Sequence, residues 1–332
     1  MMREKWPSRQ ALDLGDLTLD SGEVLHDARF VYRVIGDLGS GRDVVLVFSY
    51  FTGTDESYAP WIGQGLAFDP ARCTIVIVNH FGGGVSSSPS NTPGAFPSVG
   101  LIDDVRAASI LLDRLGVSWV ALAAGWSLGG MQAIAFAATH PDRVGAVVAV
   151  CSAGRCGPIN GVFLDSVAAA LGADPATAEG RRPIAGLNAF GRVYAGWAYS
   201  EAFFAEEIYL DFGYTSPNDV VEQWGLEHEQ ENASDLMIAL RTWRSAGAIG
   251  FTESLQGVTA QVTLMPSSTD RYFTVAENEY EAGLLPDARI IVLDSPLGHI
   301  AGRPGIRSGE QSQIDAVLAV ALESAGQGRD GA

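Results

Sequence analysis

Gly125-Trp126-Ser127-Leu128-Gly129 stands between an apolar β-type run, Trp119 to Ala124, and a good helix former, Met131 to Ala137. Strand, Gly-x-Ser-x-Gly and helix in that order put a serine on a tight turn. Its hydroxyl then stands clear of the sheet at the positive end of the following helix. Glycines flank it because a side chain there would strike the neighbouring strand and helix. Such a serine is a nucleophile for acyl transfer. The alternative is a glycine-rich turn in which Ser127 only caps the helix.

A serine hydroxyl needs a base, and the chain has five histidines. His26 lies in an N-terminal hairpin, His140 ends the helix after Ser127, and His228 sits in an acidic helical stretch. His80 follows a strand and is the one serious rival. His299 lies in Pro296-Leu297-Gly298-His299, directly after the last expected strand. Where a strand-borne serine comes first in the chain, acid and then histidine follow, and only His299 leaves room for an acid between. That acid orients the imidazole and stabilises its protonated form. Asp270 fits, because Val262 to Met265 leads into Pro266-Ser267-Ser268-Thr269-Asp270. Asp294 also follows a strand but is so near His299 that a local turn role suits it better.

An oxyanion hole takes one backbone N–H from the residue after the nucleophile, Leu128, and one from the loop after an earlier strand. Ser49-Tyr50-Phe51-Thr52-Gly53 supplies that loop, with Phe51 the first candidate and Tyr50 close behind. Gly82-Gly83-Gly84 lacks the spacing and the Lys-Ser/Thr ending of a phosphate loop, so a pocket-edge loop is expected there. Phe190, Tyr194, Trp197, Tyr199, Phe203 and Phe204 could line an acyl pocket, and their spacing fits ordinary helix packing equally well.

The elements that must hold these residues are legible as short apolar runs. Val44–Phe48, Thr74–Val78, Trp119–Ala124, Val144–Val150, Val262–Met265 and Arg289–Leu293 read as parallel strands buried on both faces. Leu101 to Leu115 carries a helical apolar stripe between two of them, giving the rhythm of an open α/β sheet. Leu17 to Asp37, broken at Ser21-Gly22, reads as an antiparallel hairpin at the sheet edge. From about 155 to 250 the periodicity is helical, as expected of a cap over the sheet's C-terminal edge, where such folds bind ligands. The expected division is core 1–154, helical cap 155–250 and core 251–332, with a frayed tail from Ser324.

The chain has 332 residues, 47% of them hydrophobic and 18% charged, which excludes a disordered or collagen-like polypeptide. A compact chain of this size buries on the order of 75% of its unfolded surface and needs no disulfide or metal to hold a core. Cys73, Cys151 and Cys156 fit neither a zinc site nor a CxxC pair and read as reduced thiols. No apolar stretch follows the basic residues of the N-terminus as a signal peptide would, and no run approaches the roughly 20 residues of a membrane span. A cytoplasmic enzyme is expected. Net charge is −18 and Lys5 is the one lysine, so nucleic acid and anionic membrane are poor partners. A local arginine cluster would still suffice to hold a phosphate.

With these residues placed, the chain resembles the homoserine O-acetyltransferase-like branch of the α/β-hydrolase superfamily. The resemblance runs through Leu19-Asp20-Ser21-Gly22, Val31 to Gly36, Tyr50-Phe51-Thr52-Gly53, Gly125 to Gln132, Pro141-Asp142-Arg143-Val144 and Gly298-His299. It implies an α/β-hydrolase fold with an inserted helical cap, a Ser127–Asp270–His299 triad, no cofactor beyond acyl-CoA as a co-substrate, and a homodimer formed through the cap. Two positions depart from the pattern. The family's histidine is usually followed by an aspartate that helps hold the amino acid acceptor, where this chain has Ile300. The cap arginine expected near Gly186-Leu187 is out of register, Arg192 being its nearest match and, with Tyr50, a candidate substrate contact. The expectation is a small-molecule ester or thioester hydrolase, or an O-acyltransferase for an acceptor other than homoserine. A slow or non-catalytic binding protein and a cyclase or lyase in the same pocket stay open beside it.

Overall fold

The computed structural model describes residues 6–247 and 250–329. The apolar runs form strands β1 (Gln10–Thr18), β2 (Val24–Ile35), β3 (Asp43–Phe48), β4 (Cys73–Val78), β5 (Val120–Trp126), β6 (Val144–Val150), β7 (Gln261–Met265) and β8 (Ala288–Ile290). They lie in one sheet in the order β1-β2-β4-β3-β5-β6-β7-β8. β2 pairs antiparallel with both β1 and β4, and every other neighbouring pair is parallel.

Burial follows the composition of the strands. β4, Cys-Thr-Ile-Val-Ile-Val, and β5 are buried at every residue, as expected of central parallel strands covered on both faces. α2 (Leu128–Thr139), between β5 and β6, packs on β3, β5 and β6 with the β4–β5 crossover α1 (Leu101–Arg114) beside it, and the last helix also packs on β5, β6 and β7.

Three expectations change. The hairpin starts at Gln10, because its first arm continues through a bulge at Gly15, whose φ of +64° suits glycine, while Asp13 and Asp16 point outward. β8 ends at Ile290, and Leu293 makes only an isolated bridge to Ser267. As an edge strand it has one neighbour, so Ile291 and Val292 just beyond it stay about 40% exposed rather than buried on both faces. Residues 324–329, expected to fray, continue the last helix, and 330–332 lie outside the described residues.

Between β6 and β7 the chain is helical: α3 (Pro158–Gly172), α4 (Pro175–Ala178), α5 (Ile184–Ala198), α6 (Glu201–Ala205), α7 (Pro217–His228), α8 (Ala233–Arg244) and α9 (Phe251–Gln256). After β7 come α10 (Val275–Ala282) and α11 (Ser308–Arg329). The helical segment is tied to the core at several points. Ser90 donates to Asp235 of α8 from both N–H and hydroxyl, at 2.9 and 2.5 Å, and Leu101 N–H donates to Ser245 Oγ at 3.0 Å. The loop of Gly82 to Gly84 packs on the same helix, against Ile238 and Asp235. Among the described residues no helix is long and apolar enough to cross a membrane.

Candidate active site

Ser127 joins β5 to α2 with φ +56° and ψ −126°, a conformation that costs a non-glycine residue on the order of 1–3 kcal/mol. Its surroundings leave it no alternative. Ser127 N–H donates to Val150 O at 3.0 Å, and Ser127 O accepts from Ser152 Oγ at 2.7 Å and Gly130 N–H at 2.9 Å. The neighbouring glycines are steric necessities. A Cβ on Gly125 would overlap the Gly129 carbonyl, one on Gly129 would fall on Phe48 O, and one on Gly130 would lie 2.6 Å from Ser152 Cβ.

His299 follows Gly298, whose φ of +68° carries the chain against α5 where a Cβ would press on Ala198 O. The imidazole Nε2 lies 2.9 Å from Ser127 Oγ and Nδ1 lies 2.8 Å from Asp270 Oδ2. Asp270 Oδ1 in turn accepts from the N–H groups of Tyr272, at 2.7 Å, and Phe273, at 3.2 Å. The carboxylate is thus fixed by backbone on one oxygen and offers the other to the ring, which sets Nδ1 as donor and leaves Nε2 to accept the serine proton. All three side chains are buried, with relative exposures of 2% for Ser127, 1% for His299 and 6% for Asp270.

The other histidines are engaged elsewhere. His26 faces Asp16 at the surface, His140 Nδ1 meets Thr139 Oγ1, and His228 Nδ1 meets Trp224 O. His80 Nδ1 lies 2.8 Å from Phe81 O, and burial holds its pKa below the ordinary imidazole range. Asp294 is exposed and accepts from Ser268 Oγ at 3.0 Å, so instead of stabilising a local turn it joins its own loop to the one that carries Asp270. Cys73, Cys151 and Cys156 are free thiols, each pushed up by burial.

Leu128 opens α2, so its N–H belongs to the helix's first turn, where no intrahelical acceptor exists. β3 pairs in parallel with β5, Val47 opposite Ala124, which brings the loop after Phe48 beside the Ser127 turn. In that loop the Tyr50 ring stands edge-on to Trp126 at 4.5 Å, whereas the Phe51 ring reaches Phe190, Tyr194 and Trp243 of the helical segment. Arg192 is half-buried on α5, and a Cβ on Gly225 of α7 would lie 3.0 Å from its Cγ. Of the aromatics singled out by sequence, Phe190, Tyr194 and Trp197 face the site through Phe51 or Tyr272. Tyr199, Phe203 and Phe204 pack with one another instead.

Comparison with known proteins bears on the fold and on the class of enzyme. The family described as alpha/beta hydrolase fold matches residues 43–195. An ethyl acetate hydrolase of Pseudomonas veronii is 28% identical over 334 residues, covering 95% of each chain. A homoserine O-acetyltransferase of Chlorobium luteolum is 27% identical over 306 residues, 84% of this chain and 86% of that one. The solved structure of the acetyl esterase MekB superposes with a TM-score of 0.91 at 27% identity, covering 96% of this chain and 97% of that one. The chain has the α/β-hydrolase fold, and its relatives include both esterases and homoserine O-acetyltransferases.

Several residues of this α/β-hydrolase that shape the site carry no motif. Tyr58 Oη donates to Phe48 O at 2.8 Å and accepts from Trp126 N–H at 3.0 Å, pinning the end of β3 to the strand that carries Ser127. Burial pushes this phenol far above its ordinary range, so it stays protonated. Gln132 donates to Ser49 O at 3.0 Å and Leu128 O at 3.3 Å, and its place in Gly-Gly-Met-Gln was the one signal available. Trp126 stacks on the His299 ring at 5.1 Å, Tyr272 meets that ring edge-on at 4.7 Å, and Phe273 lies at 5.6 Å. Ile300 is buried beside His299 and offers no charge to an ammonium group. Among the described residues no three His, Cys, Asp or Glu side chains are grouped to hold a metal.

Proposed function

We propose that this α/β-hydrolase cleaves short-chain esters, acetate esters foremost, through a covalent acyl-Ser127 intermediate. The hydrogen-bonded series Ser127 Oγ, His299 Nε2, His299 Nδ1, Asp270 Oδ2 carries the reading. His299 takes the Ser127 proton as Oγ attacks the ester carbonyl, and Asp270 stabilises the imidazolium. The negative oxygen of the tetrahedral intermediate is met by the N–H groups of Leu128 and Phe51. His299 then gives its proton to the departing alcohol, and a water activated by the same imidazole releases the acid. Buried aromatic residues crowd the triad, and the relatives named ethyl acetate hydrolase and acetyl esterase act on esters of the small acetyl group. Ile300 argues against an amino acid acceptor such as homoserine.

Transfer to an alcohol is the second reading, favoured by the enclosure of the triad. An acyl-enzyme shielded from water persists long enough to meet another acceptor. Intact mass spectrometry after fluorophosphonate treatment tests the common core of both. The wild type gains one adduct, Ser127→Ala gains none, and its kcat on ethyl acetate falls by about 10⁶, against about 10⁴ for Asp270→Asn. Near-normal turnover by Ser127→Ala would sink the assignment. Propanol added to the esterase assay separates the readings, since transfer yields propyl acetate in excess of its mole fraction.

A further inference from the structure

We infer that Tyr272 is a substrate-binding residue, its hydroxyl donating a hydrogen bond to a second oxygen carried by the alcohol part of the ester. The substrates favoured are then acetates of hydroxy- or alkoxy-alcohols rather than of plain alkanols. The inference rests on the acyl-Ser127 reading above.

Tyr272 is held from both sides. Its N–H donates to Asp270 Oδ1 at 2.7 Å, and its carbonyl accepts from Asn160 Nδ2 of α3. Trp243 Nε1 of α8 donates to Asn160 Oδ1 at 2.8 Å, which fixes the amide's orientation. The ring fills the space between the imidazole and the helical segment, 4.7 Å from His299, 4.4 Å from Phe163 and 5.8 Å from Trp243. At the end of this fixed ring the hydroxyl is buried and has no hydrogen-bond partner among the described residues. A phenol kept in so apolar a place without a partner is costly, and phenylalanine would fill the same volume without that cost. Burial pushes this phenol well above its ordinary pKa, so it remains a donor and selects an acceptor oxygen.

The position of the ring indicates which part of the ester it meets. To hand its proton to the leaving group, His299 Nε2 must lie within hydrogen-bond reach of the leaving oxygen. The alcohol chain therefore extends past the imidazole, the ring that Tyr272 abuts. Ser127 is itself closed off, so the aromatic residues over the triad part when substrate enters, and the same parting uncovers the Tyr272 hydroxyl.

A matched pair of esters tests this. 2-Methoxyethyl acetate and n-butyl acetate differ by one oxygen in place of one methylene. The wild type is expected to favour the ether in kcat/KM by roughly tenfold, and Tyr272→Phe to bring the ratio near one. Thermal melting adds a second readout: Tyr272→Phe should melt at or above the wild type, because it removes an unpaired buried hydroxyl. A protein that forms the Ser127 fluorophosphonate adduct but shows no ether preference, or one that Tyr272→Phe leaves intact, overturns the Tyr272 assignment alone. A Tyr272→Phe protein melting well below the wild type does the same, since the hydroxyl would then be paired internally. No adduct and no turnover of either ester overturns the acyl-Ser127 reading together with it.

Discussion

Gly129 shows how much a single hydrogen atom in place of a side chain decides at this site. A methyl group there would fall on Phe48 O and within 2.9 Å of the Tyr58 hydroxyl, the two atoms that lock β3 to the Ser127 turn. Phe48 O belongs to the main chain, so the backbone itself would have to move. Gly129→Ala is expected to cost about 1–3 kcal/mol in urea denaturation, the usual scale of overpacking, and to lower kcat more than its stability loss explains. Wild-type activity in a stably folded Gly129→Ala protein would mean that the turn tolerates displacement, and that the 2.9 Å approach of His299 to Ser127 is not set by it.

The helices inserted between β6 and β7 reach Asp270 through a short relay. Trp243 of α8 holds Asn160 of α3, Asn160 holds the Tyr272 carbonyl, and the Tyr272 N–H holds Asp270. The first two links join segments far apart in sequence, so the helical segment and the Asp270 carboxylate are positioned together. Asn160→Ala leaves the Trp243 N–H and the Tyr272 carbonyl unpaired inside the protein, a cost of about 1–3 kcal/mol for each group. The expected result is a lower urea midpoint together with a loss of kcat, although no triad atom has been removed. Unchanged stability in Asn160→Ala would show that water or a neighbour replaces the amide.

Over the whole molecule, acid burial couples folding to pH. Glu281 of α10 is buried where its Oε2 accepts from Gly154 N–H at 2.6 Å, just after β6, and its Oε1 has no partner among the described residues. Burial pushes its pKa up from 4.5 to about 7, with Glu277 adding to the rise and Arg155 opposing it. The folded state therefore holds a proton that the unfolded chain has released. Stability from this group is present below about pH 4.5, falls as pH rises toward about 7 and is level above it. At about 1.4 kcal/mol per unit the ceiling is about 3 kcal/mol. Asp104, raised well above its ordinary range by burial, acts in the same direction, while His80 and His228, held low by burial, act in the opposite one below their ordinary pKa. Glu281→Gln isolates one contribution. Its melting temperature should exceed the wild type's at pH 8 and match it near pH 4.5, and an equal offset at both would show that Glu281 does not titrate between them.

The sequence by itself determined most of the sheet and the turn that carries Ser127. Apolar runs buried on both faces, glycines where a Cβ cannot fit, and the order serine, acid, histidine are local or ordinal properties that a linear chain displays openly. Ser127, Asp270 and His299 could be picked because few residues of the right type fall just past a strand. Only the tertiary structure decided what surrounds them. Tyr272 beside His299, Tyr58 under Trp126, and Asn160 between Trp243 and Tyr272 are pairings between distant segments. Hydrophobic periodicity says that a residue is buried, not what it is buried against, so the aromatic spacing of the inserted helices fitted plain packing and a substrate pocket equally well. The edge position of β8 and the bulge that lets β1 start at Gln10 were hidden for the same reason. Exposure of a strand face and register across a sheet depend on a neighbour that the strand's own residues do not name.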